Sequence, residues 1–323
     1  MIIARCETIA LPSLRRQGGN DPRMILDIMM PFYGRMDHFQ EAVRSVQAQT
    51  SGDWRLTIVD DRYPDPAPGE WAAAIDDPRV RYLRNEQNLR PSRNYDKCVS
   101  LATSEFLVLM GCDDIMDPGY VARAQTLLAA HPDVDVVQPG VRVIDQDGRP
   151  SSPLADRVKR WYRLPGHGPR EAAGERLATS LLRGNWTYFP SLLWRRTALT
   201  GGFRADLDVV QDLAMLLEIT FAGGRLLLDD LPVFAYRRHA TSVSAVTGVD
   251  GSKFAQERSL FASASRQCDE LGWHRAARAA RWHLSSRLNA MTELPRAYLT
   301  RDASGRRALN RHVFGGLEPP AAG

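Results

Sequence analysis

Short apolar segments alternate with amphipathic ones through the first 140 residues, and this alternation constrains the fold more than any other feature of the sequence. The apolar segments have the length of strands and lie at 24–30, 54–59, 80–83, 105–110 and 134–137. Amphipathic stretches between them, such as 91–102, predict helices. Strands that alternate with helices predict an α/β fold, in which a mostly parallel sheet has helices on both faces.

The sequence beyond residue 150 is less regular and ends in a helical region. Helices are predicted at 170–182 and 211–221, and strands at 188–195 and 225–238, the second broken at Pro232. From 253 to about 298 the pattern is mostly helical. The expected segments are an irregular N-terminal arm (1–23), a first α/β half (24–145), a second half (146–245) and a helical C-terminal extension (246–323).

Two pairs of adjacent aspartates stand where predicted strands end. Asp60 and Asp61 follow one strand, and Asp113 and Asp114 follow another. Ligands of parallel α/β sheets bind beyond the carboxyl ends of the strands, so both pairs are predicted to lie at that edge. Paired carboxylates suit a hard cation such as Mg²⁺ or Mn²⁺ that also takes phosphate oxygens. A single carboxylate there can instead accept the imide N–H of uracil or thymine.

Both pairs also fit a purely structural explanation. Asp114 or Asp117 can cap the helix that follows. Asp60 and Asp61 can begin a turn that continues through 63–66. The residue pattern alone leaves these alternatives open.

Composition excludes several classes of protein. With 44% hydrophobic and 25% charged residues, the chain is neither disordered nor a disulfide scaffold. The net charge is only +4 and its excess lies after residue 250, which argues against nucleic acid as a partner. The four cysteines are far apart, as expected in a reducing compartment. We find no apolar run long enough for a membrane span and no signal peptide, and therefore expect a cytoplasmic protein.

A series of motifs between residues 24 and 245 resembles family 2 glycosyltransferases. In chain order they are PFYGR (31–35), SVQAQT (45–50), IVDD (58–61), NEQNLRPSRN (85–94), MGCDDIMDP (110–118), PSLLWRR (190–196), GGF (201–203), Gln211-Asp212 and YRRH (236–239). The resemblance implies a GT-A fold, in which 24–145 binds a nucleotide sugar and 146–245 binds the acceptor.

The resemblance also implies roles for individual residues. The nucleotide would be bound by Pro31, Phe32, Tyr33, Arg35, Asp60 or Asp61, Arg93 and Asp113. Asp113 and Asp114 would hold Mn²⁺ or Mg²⁺, joined by His239, and Asp212 would be the general base. The acceptor would meet Trp186 and Tyr188.

Some of these residues have ordinary structural alternatives. Asp212 begins a helix, where a carboxylate stabilises the helix dipole without any chemistry. His239 can be a surface histidine or a phosphate contact, and Trp186 and Phe189 can be core residues.

The implied reaction is the transfer of a hexose from UDP-sugar or dTDP-sugar to an acceptor hydroxyl, with inversion. Relatives commonly carry aspartate where Gly111 stands and glutamate where Gln211 stands. These two departures keep an alternative open, a non-catalytic nucleotide-sugar-binding subunit of a glycosylation complex.

The acceptor is expected to be a glycan, a lipid-linked molecule or a small molecule. Arg275, Arg278 and Arg281 form a basic stripe that can meet the inner face of a membrane peripherally, or simply be a solvated helix face. The sequence does not indicate the oligomeric state.

Overall fold

A mixed sheet of nine strands forms the centre of the computed structural model, which describes residues 24–207, 209–238, 252–299 and 303–316. The strands are β1 (Leu26–Phe32), β2 (Trp54–Asp60), β3 (Val80–Arg84), β4 (Phe106–Leu109), β5 (Ile115–Met116), β6 (Val136–Ile144), β7 (Arg170–Ala173), β8 (Leu193–Arg195) and β9 (Arg225–Arg237). Their order in the sheet is β3-β2-β1-β4-β8-β6-β9-β5, and β7 also pairs with β9. The predicted arm (1–23) and His239 lie outside the described residues.

Helices flank the sheet and form the C-terminal region. They are α1 (Met36–Gln47), α2 (Ala67–Ala73), α3 (Arg90–Leu101), α4 (Tyr120–Ala130), α5 (Leu154–Tyr162), α6 (Gly174–Arg183), α7 (Gln211–Phe221), α8 (Ser252–Glu270), α9 (His274–Trp282), α10 (Leu284–Leu299) and α11 (Ala303–Phe314). Short 3₁₀ helices span Phe189–Ser191 and Arg196–Leu199. Within the described part of the chain, no helix is both long and apolar enough to cross a bilayer.

The first four strands of the sheet run parallel to one another. β1 pairs with β2 on one side and with β4 on the other, and β3 pairs with β2. Their carboxyl ends therefore meet at one edge, which is where the segment after β1, Asp61 after β2 and the loop 110–114 after β4 are found.

The two faces of this sheet are covered by different helices. Neighbouring residues of β1 point to opposite faces, as strand geometry requires: Ile28 packs with residues of α1 and α4, and Met29 with residues of α6 and α7. Because both faces are covered, β4 is apolar along its whole length, and in β1 the only charged residue is Asp27. This burial explains why continuous apolar segments of strand length predicted β1 and β4.

The predicted fold class is confirmed: a mostly parallel sheet flanked by helices, followed by a helical C-terminal region. The antiparallel strands belong mainly to the second half, where β8 lies between β4 and β6. The proposed division into four segments stays a prediction.

The local predictions failed mainly in this second half. The first four residues of the predicted helix 170–182 form β7, because they pair antiparallel with β9, and Gly174 begins the helix at φ +56°. The predicted strand 188–195 is a 3₁₀ turn followed by the short β8. β9 continues through Pro232, which is tolerated because its register with β6 shifts at Gly140.

Gly140 lies at the register shift between β6 and β9, and a side chain there has no room. A β-carbon would lie 2.5 Å from the backbone of Asp230 and Leu231. We expect Gly140→Ala to reduce the free energy of unfolding by at least about 2 kcal/mol, because backbone must move to relieve the overlap. Urea denaturation measures this loss. Gly52→Ala is the control, since its β-carbon meets only Arg79, at 3.9 Å; a similar loss in both variants would contradict the expectation.

Candidate nucleotide-sugar site

A cleft of about 760 Å³ lies at the carboxyl ends of β1, β2 and β4. Six of the predicted nucleotide-binding positions line it: Pro31, Phe32, Tyr33, Arg35, Asp61 and Asp113. Residues that were not predicted complete the lining, among them His38, Asn88, Arg90, Asn94, Tyr95 and Phe189. The parallel strands thus bring together residues as distant in the sequence as Pro31 and Asp113.

Aromatic rings form one wall of the cleft. Phe32 is buried and packs against Phe39, with ring centroids 4.2 Å apart. Tyr33, the next residue, is 54% exposed, and Tyr63 meets its ring edge-on at 5.2 Å. Tyr33 therefore presents a supported, accessible ring against which a planar base can stack.

Asp61 is held in the cleft by a network of amides. Its Oδ1 accepts hydrogen bonds from the Asn85 side chain at 2.8 Å and from the Leu89 backbone at 2.7 Å. Asn85 is held in turn by Asn94 and by Lys97, whose ammonium donates to it at 2.7 Å. Because both bonds to Asp61 use Oδ1, the second oxygen remains available to a ligand in the cleft.

Asp60 does not line the cleft. Its Oδ1 accepts the Tyr63 N–H at 2.7 Å, and its Oδ2 accepts the Tyr82 hydroxyl at 2.6 Å. Arg84 adds an ion pair at 3.6 Å. Both oxygens of Asp60 therefore stabilise the fold, as expected of a carboxylate that begins a turn. Asp61, by contrast, lines the cleft.

The three arginines near the cleft are placed differently. Arg35 lines it, but its guanidinium also binds Asp37, whose pKa falls to about 2 because of this bond. Arg93 is exposed on α3 and does not line the cleft. Arg90 does line it, at φ +66°, and was not among the predicted residues.

The acidic loop 110–114 is tied to β9 by Arg237. The Arg237 backbone N–H donates to Oδ1 of Asp114 at 2.8 Å, and its Nε donates to the Asp113 carbonyl at 2.6 Å. Asp114 is 1% exposed, and its Oδ2 has no hydrogen-bond partner among the described residues. Burial and the neighbouring Asp113 carboxylate raise the pKa of Asp114 well above its usual value.

The unpartnered oxygen of Asp114 fits a bound cation. A β-carbon at Gly111 would overlap Oδ2 of Asp114 and lie 3.0 Å from Oδ1 of Asp113, so both oxygens face the space that glycine leaves free. Within the described residues no three histidine, cysteine, aspartate or glutamate side chains form a complete metal site. Asp113 and Asp114 thus suit a cation whose remaining ligands come from the substrate.

Asp212 lies in the first turn of α7. It lines neither the cleft nor a second, smaller pocket around Tyr188. Its Oδ2 accepts a hydrogen bond from Asn185 at 2.8 Å. Burial raises its pKa, while the Asn185 bond and the Lys159 charge oppose the increase. Neighbouring Gln211 is buried and bonded to Ser92, which fixes the start of the helix.

A second pocket, of about 330 Å³, is lined by Trp186, Tyr188 and residues of α5 and β6. Trp186 is 2% exposed and donates its indole N–H to Ser180 at 3.0 Å, so most of this side chain is core. Tyr188 is partly exposed, and its hydroxyl donates to Asp156 at 3.0 Å. The segment 186–190 contributes to both pockets, since Phe189 and Pro190 line the cleft.

Comparison with known proteins decides the family. Residues 27–195, just over half of the chain, match the family model described as Glycosyl transferase family 2. The chain belongs to this family. Its predicted recognition is therefore confirmed, while the roles assigned to individual site residues stay predictions.

The curated proteins that this chain resembles are distant from it in sequence. The Sinorhizobium fredii protein y4gI is 29% identical over 130 residues, which are 39% of this chain and 14% of y4gI. The putative glycosyltransferase EpsE of Bacillus subtilis is 25% identical over 126 residues, which are 38% of this chain and 45% of EpsE. The chain thus spans less than half the length of either relative.

The same fold occurs in the crystal structure of S. aureus TarS 1-349. The TM-score is 0.62 at 14% identity, covering 90% of this chain and 82% of that one. The complex of TarS 1-349 with UDP-GlcNAc gives a TM-score of 0.60 at 13% identity, covering 89% and 91%. At such identities the likeness shows the fold, and it agrees with the predicted GT-A architecture.

Sequence reasoning missed the amides that hold the carboxylates of this family 2 site. Asn85 and Asn94 lie in the motif NEQNLRPSRN, so their presence was visible, but the bond of Asn85 to Asp61 and the support that Asn94 gives to Asn85 were not. Asn185 precedes Trp186 and carried no signal of its own. A buried amide reveals its role only when its partner, distant in sequence, is known.

Asn185 stabilises the charged form of Asp212, so we expect Asn185→Ala to raise the pKa of Asp212 further. Carbon-13 NMR of the labelled carboxyl groups measures the titration. Asn88→Ala is the control, because Asn88 lines the cleft and its side chain bonds the Arg90 N–H rather than Asp212. An unchanged Asp212 titration in Asn185→Ala would show that this hydrogen bond does not control the carboxyl group.

Proposed function

We propose that the protein is an inverting glycosyltransferase that moves a hexose from a nucleoside diphosphate sugar to an acceptor hydroxyl. One observation carries the proposal: a single cleft collects the 31–35 segment, Asp61 and Asp113, next to the unpartnered carboxylate oxygen of Asp114. Family membership and the nucleotide-sugar complex of the neighbour TarS support the same reaction class.

The donor nucleotide is UDP or dTDP. The base stacks against Tyr33, and the free oxygen of Asp61 accepts the imide N–H that uracil and thymine share. Asn85 and the Leu89 N–H keep Asp61 oriented for this bond. TarS 1-349 in complexes with UDP-GlcNAc and with UDP supports the choice of a uridine nucleotide.

Asp113 and Asp114 would hold Mn²⁺ or Mg²⁺, with the donor diphosphate completing the ligands. A cation bound there would supply Lewis-acid stabilisation of the negative charge on the leaving nucleoside diphosphate. Arg237 prepares the site, because its bonds to Asp114 Oδ1 and to the Asp113 carbonyl leave Asp114 Oδ2 directed away from the protein donors. Gly111 keeps the adjacent space open, so its departure from the family pattern is compatible with binding.

Asp212 is the general base that takes the proton of the acceptor hydroxyl. Attack from the side of the sugar opposite the leaving group gives inversion in a single displacement, as in inverting glycosidases. Burial raises the pKa of Asp212, which makes the carboxylate a better proton acceptor. Asn185 directs the carboxylate, and Gln211 anchors the helix through Ser92.

Nucleotide binding provides the first test of the donor site. In thermal shift with UDP, dTDP, GDP, ADP and CMP, each with and without Mn²⁺, we expect the largest stabilisation from UDP or dTDP with Mn²⁺. Asp114→Asn should reduce the Mn²⁺-dependent part of this shift, because it removes a charged ligand oxygen. Asp133→Asn, at an exposed position outside the cleft, should leave it unchanged. No shift with any diphosphate would contradict the proposed donor.

The base is tested separately from the donor. Asp212→Asn should retain UDP binding but lower transfer by about 10²–10⁴-fold, because the amide cannot accept the hydroxyl proton. Glu218→Gln, on the same helix but lining neither pocket, is the matched control. Near-normal turnover in Asp212→Asn would exclude Asp212 as the base. A wild-type chain that binds UDP-sugar and neither transfers nor hydrolyses it would instead be the non-catalytic binding subunit.

A further inference from the structure

Four basic side chains line the second pocket: Arg142, Lys159, Arg160 and Arg163. The one carboxylate in its lining, Asp156, is held by two hydrogen bonds from Arg238, at 2.8 and 3.1 Å. The pocket is therefore positively charged even though it lies beside a predicted sugar-binding region. Neither the family motifs nor the donor site requires such a charge.

Ion pairing neutralises only part of this group of cations. Arg142 binds Asp117, and Arg163 shares Asp230 with Arg170. Lys159 and Arg160 form no salt bridge with any residue that the structure describes. Among the residues that the structure describes, Lys159 and Arg160 are thus the two cations of the pocket that no carboxylate pairs directly.

Of these two cations, Lys159 is the one that loses more of its contact with water, since Arg160 is exposed. Its ammonium lies over the Tyr188 ring at 4.2 Å, and its hydrogen bond goes to a neutral acceptor, the Thr187 carbonyl, at 2.7 Å. Burial lowers its pKa to about 8. The charges of Asp156 and Asp212 oppose this decrease but do not outweigh burial, so an anion that enters this pocket and accepts directly from the ammonium gains a charged hydrogen bond.

Hydrogen bonds connect this lysine to the proposed base. Lys159 donates to the Thr187 carbonyl, the Thr187 hydroxyl donates to Asn185 at 2.7 Å, and Asn185 donates to Asp212. The same segment, 186–190, also lines the donor cleft through Phe189 and Pro190. A group bound at Lys159 is thus linked to Asp212 through this chain of hydrogen bonds and lies in a pocket next to the cleft.

We propose that the second pocket binds an oxyanion of the acceptor, a phosphate or a carboxylate, through Lys159 and Arg160. The assignment to the acceptor rests on the proposed glycosyl transfer; the oxyanion site itself rests on the charges of the pocket. The acceptor is accordingly an anionic molecule, and its bound oxyanion places the attacking hydroxyl near Asp212.

Calorimetric titration of the full chain with inorganic phosphate and, separately, with acetate tests the site. Saturating UDP is present so that phosphate does not enter the donor cleft. We expect millimolar binding of at least one oxyanion, weakened about tenfold or more by Lys159→Met and severalfold by Arg160→Ala, as loss of a charged hydrogen bond implies. Arg157→Ala is the matched control, because this exposed arginine is on the same helix and outside the pocket.

Lys159→Met and Arg160→Ala are both measured so that the test does not depend on the folding of a single variant. Arg160 is exposed, so Arg160→Ala remains informative even if Lys159→Met fails to fold. Preference for phosphate or for acetate identifies the kind of oxyanion. Binding of neither oxyanion by the wild type, or equal affinity in the wild type and Arg160→Ala, overturns the proposal. Absence of UDP binding contradicts the donor assignment instead, and the titration without UDP then still tests the pocket.

Discussion

The buried guanidinium of Arg237 joins the parts of the protein from which the candidate site is built. Its side chain is 1% exposed and pairs with Glu41 of α1 at 2.5 Å. It also donates to the carbonyls of Asp113 and Gln146, while its backbone N–H reaches Asp114. A buried cation is tolerated only when its donors are satisfied, so these partners must stay in place together. The acidic loop is consequently held by β9, a strand more than 100 residues later in the chain.

In this arrangement the two carboxylate oxygens of Asp114 have different surroundings. One oxygen of Asp114 is bound by the backbone of Arg237, and the other has no partner among the described residues. Such an oxygen is unfavourable in the protein alone and favourable beside a cation. The same principle applies to Lys159, a buried cation whose hydrogen bond goes to a neutral carbonyl. Next to the cleft lies a carboxylate oxygen that a cation would stabilise, and in the second pocket lies an ammonium group that an anion would stabilise. The segment 186–190 lines both pockets.

The sequence predicted the first half of the fold well because its signals are local. β1 and β4 are buried and largely apolar, and the acidic pairs stand at the ends of β2 and β4. The prediction was wrong for 170–173, whose strand structure depends on pairing with β9, and no local pattern carries that information. Arg93 and Arg90 show the same limit, since both lie in the first turn of α3 and only the second reaches the cleft.

The class of fold and the edge of the sheet where the acidic pairs lie could be inferred from local sequence patterns alone. Which of Asp60 and Asp61 lines the cleft could be seen only in the folded chain. Asp60 is the last residue of β2 and faces the side of Ile58, where Tyr82 and Tyr63 bind it, whereas Asp61 takes the opposite direction, into the cleft. A hydrophobic pattern is a property of neighbouring residues and is visible in the sequence. Whether a polar group is hydrogen-bonded or left free depends on residues from distant parts of the chain, which only folding brings together.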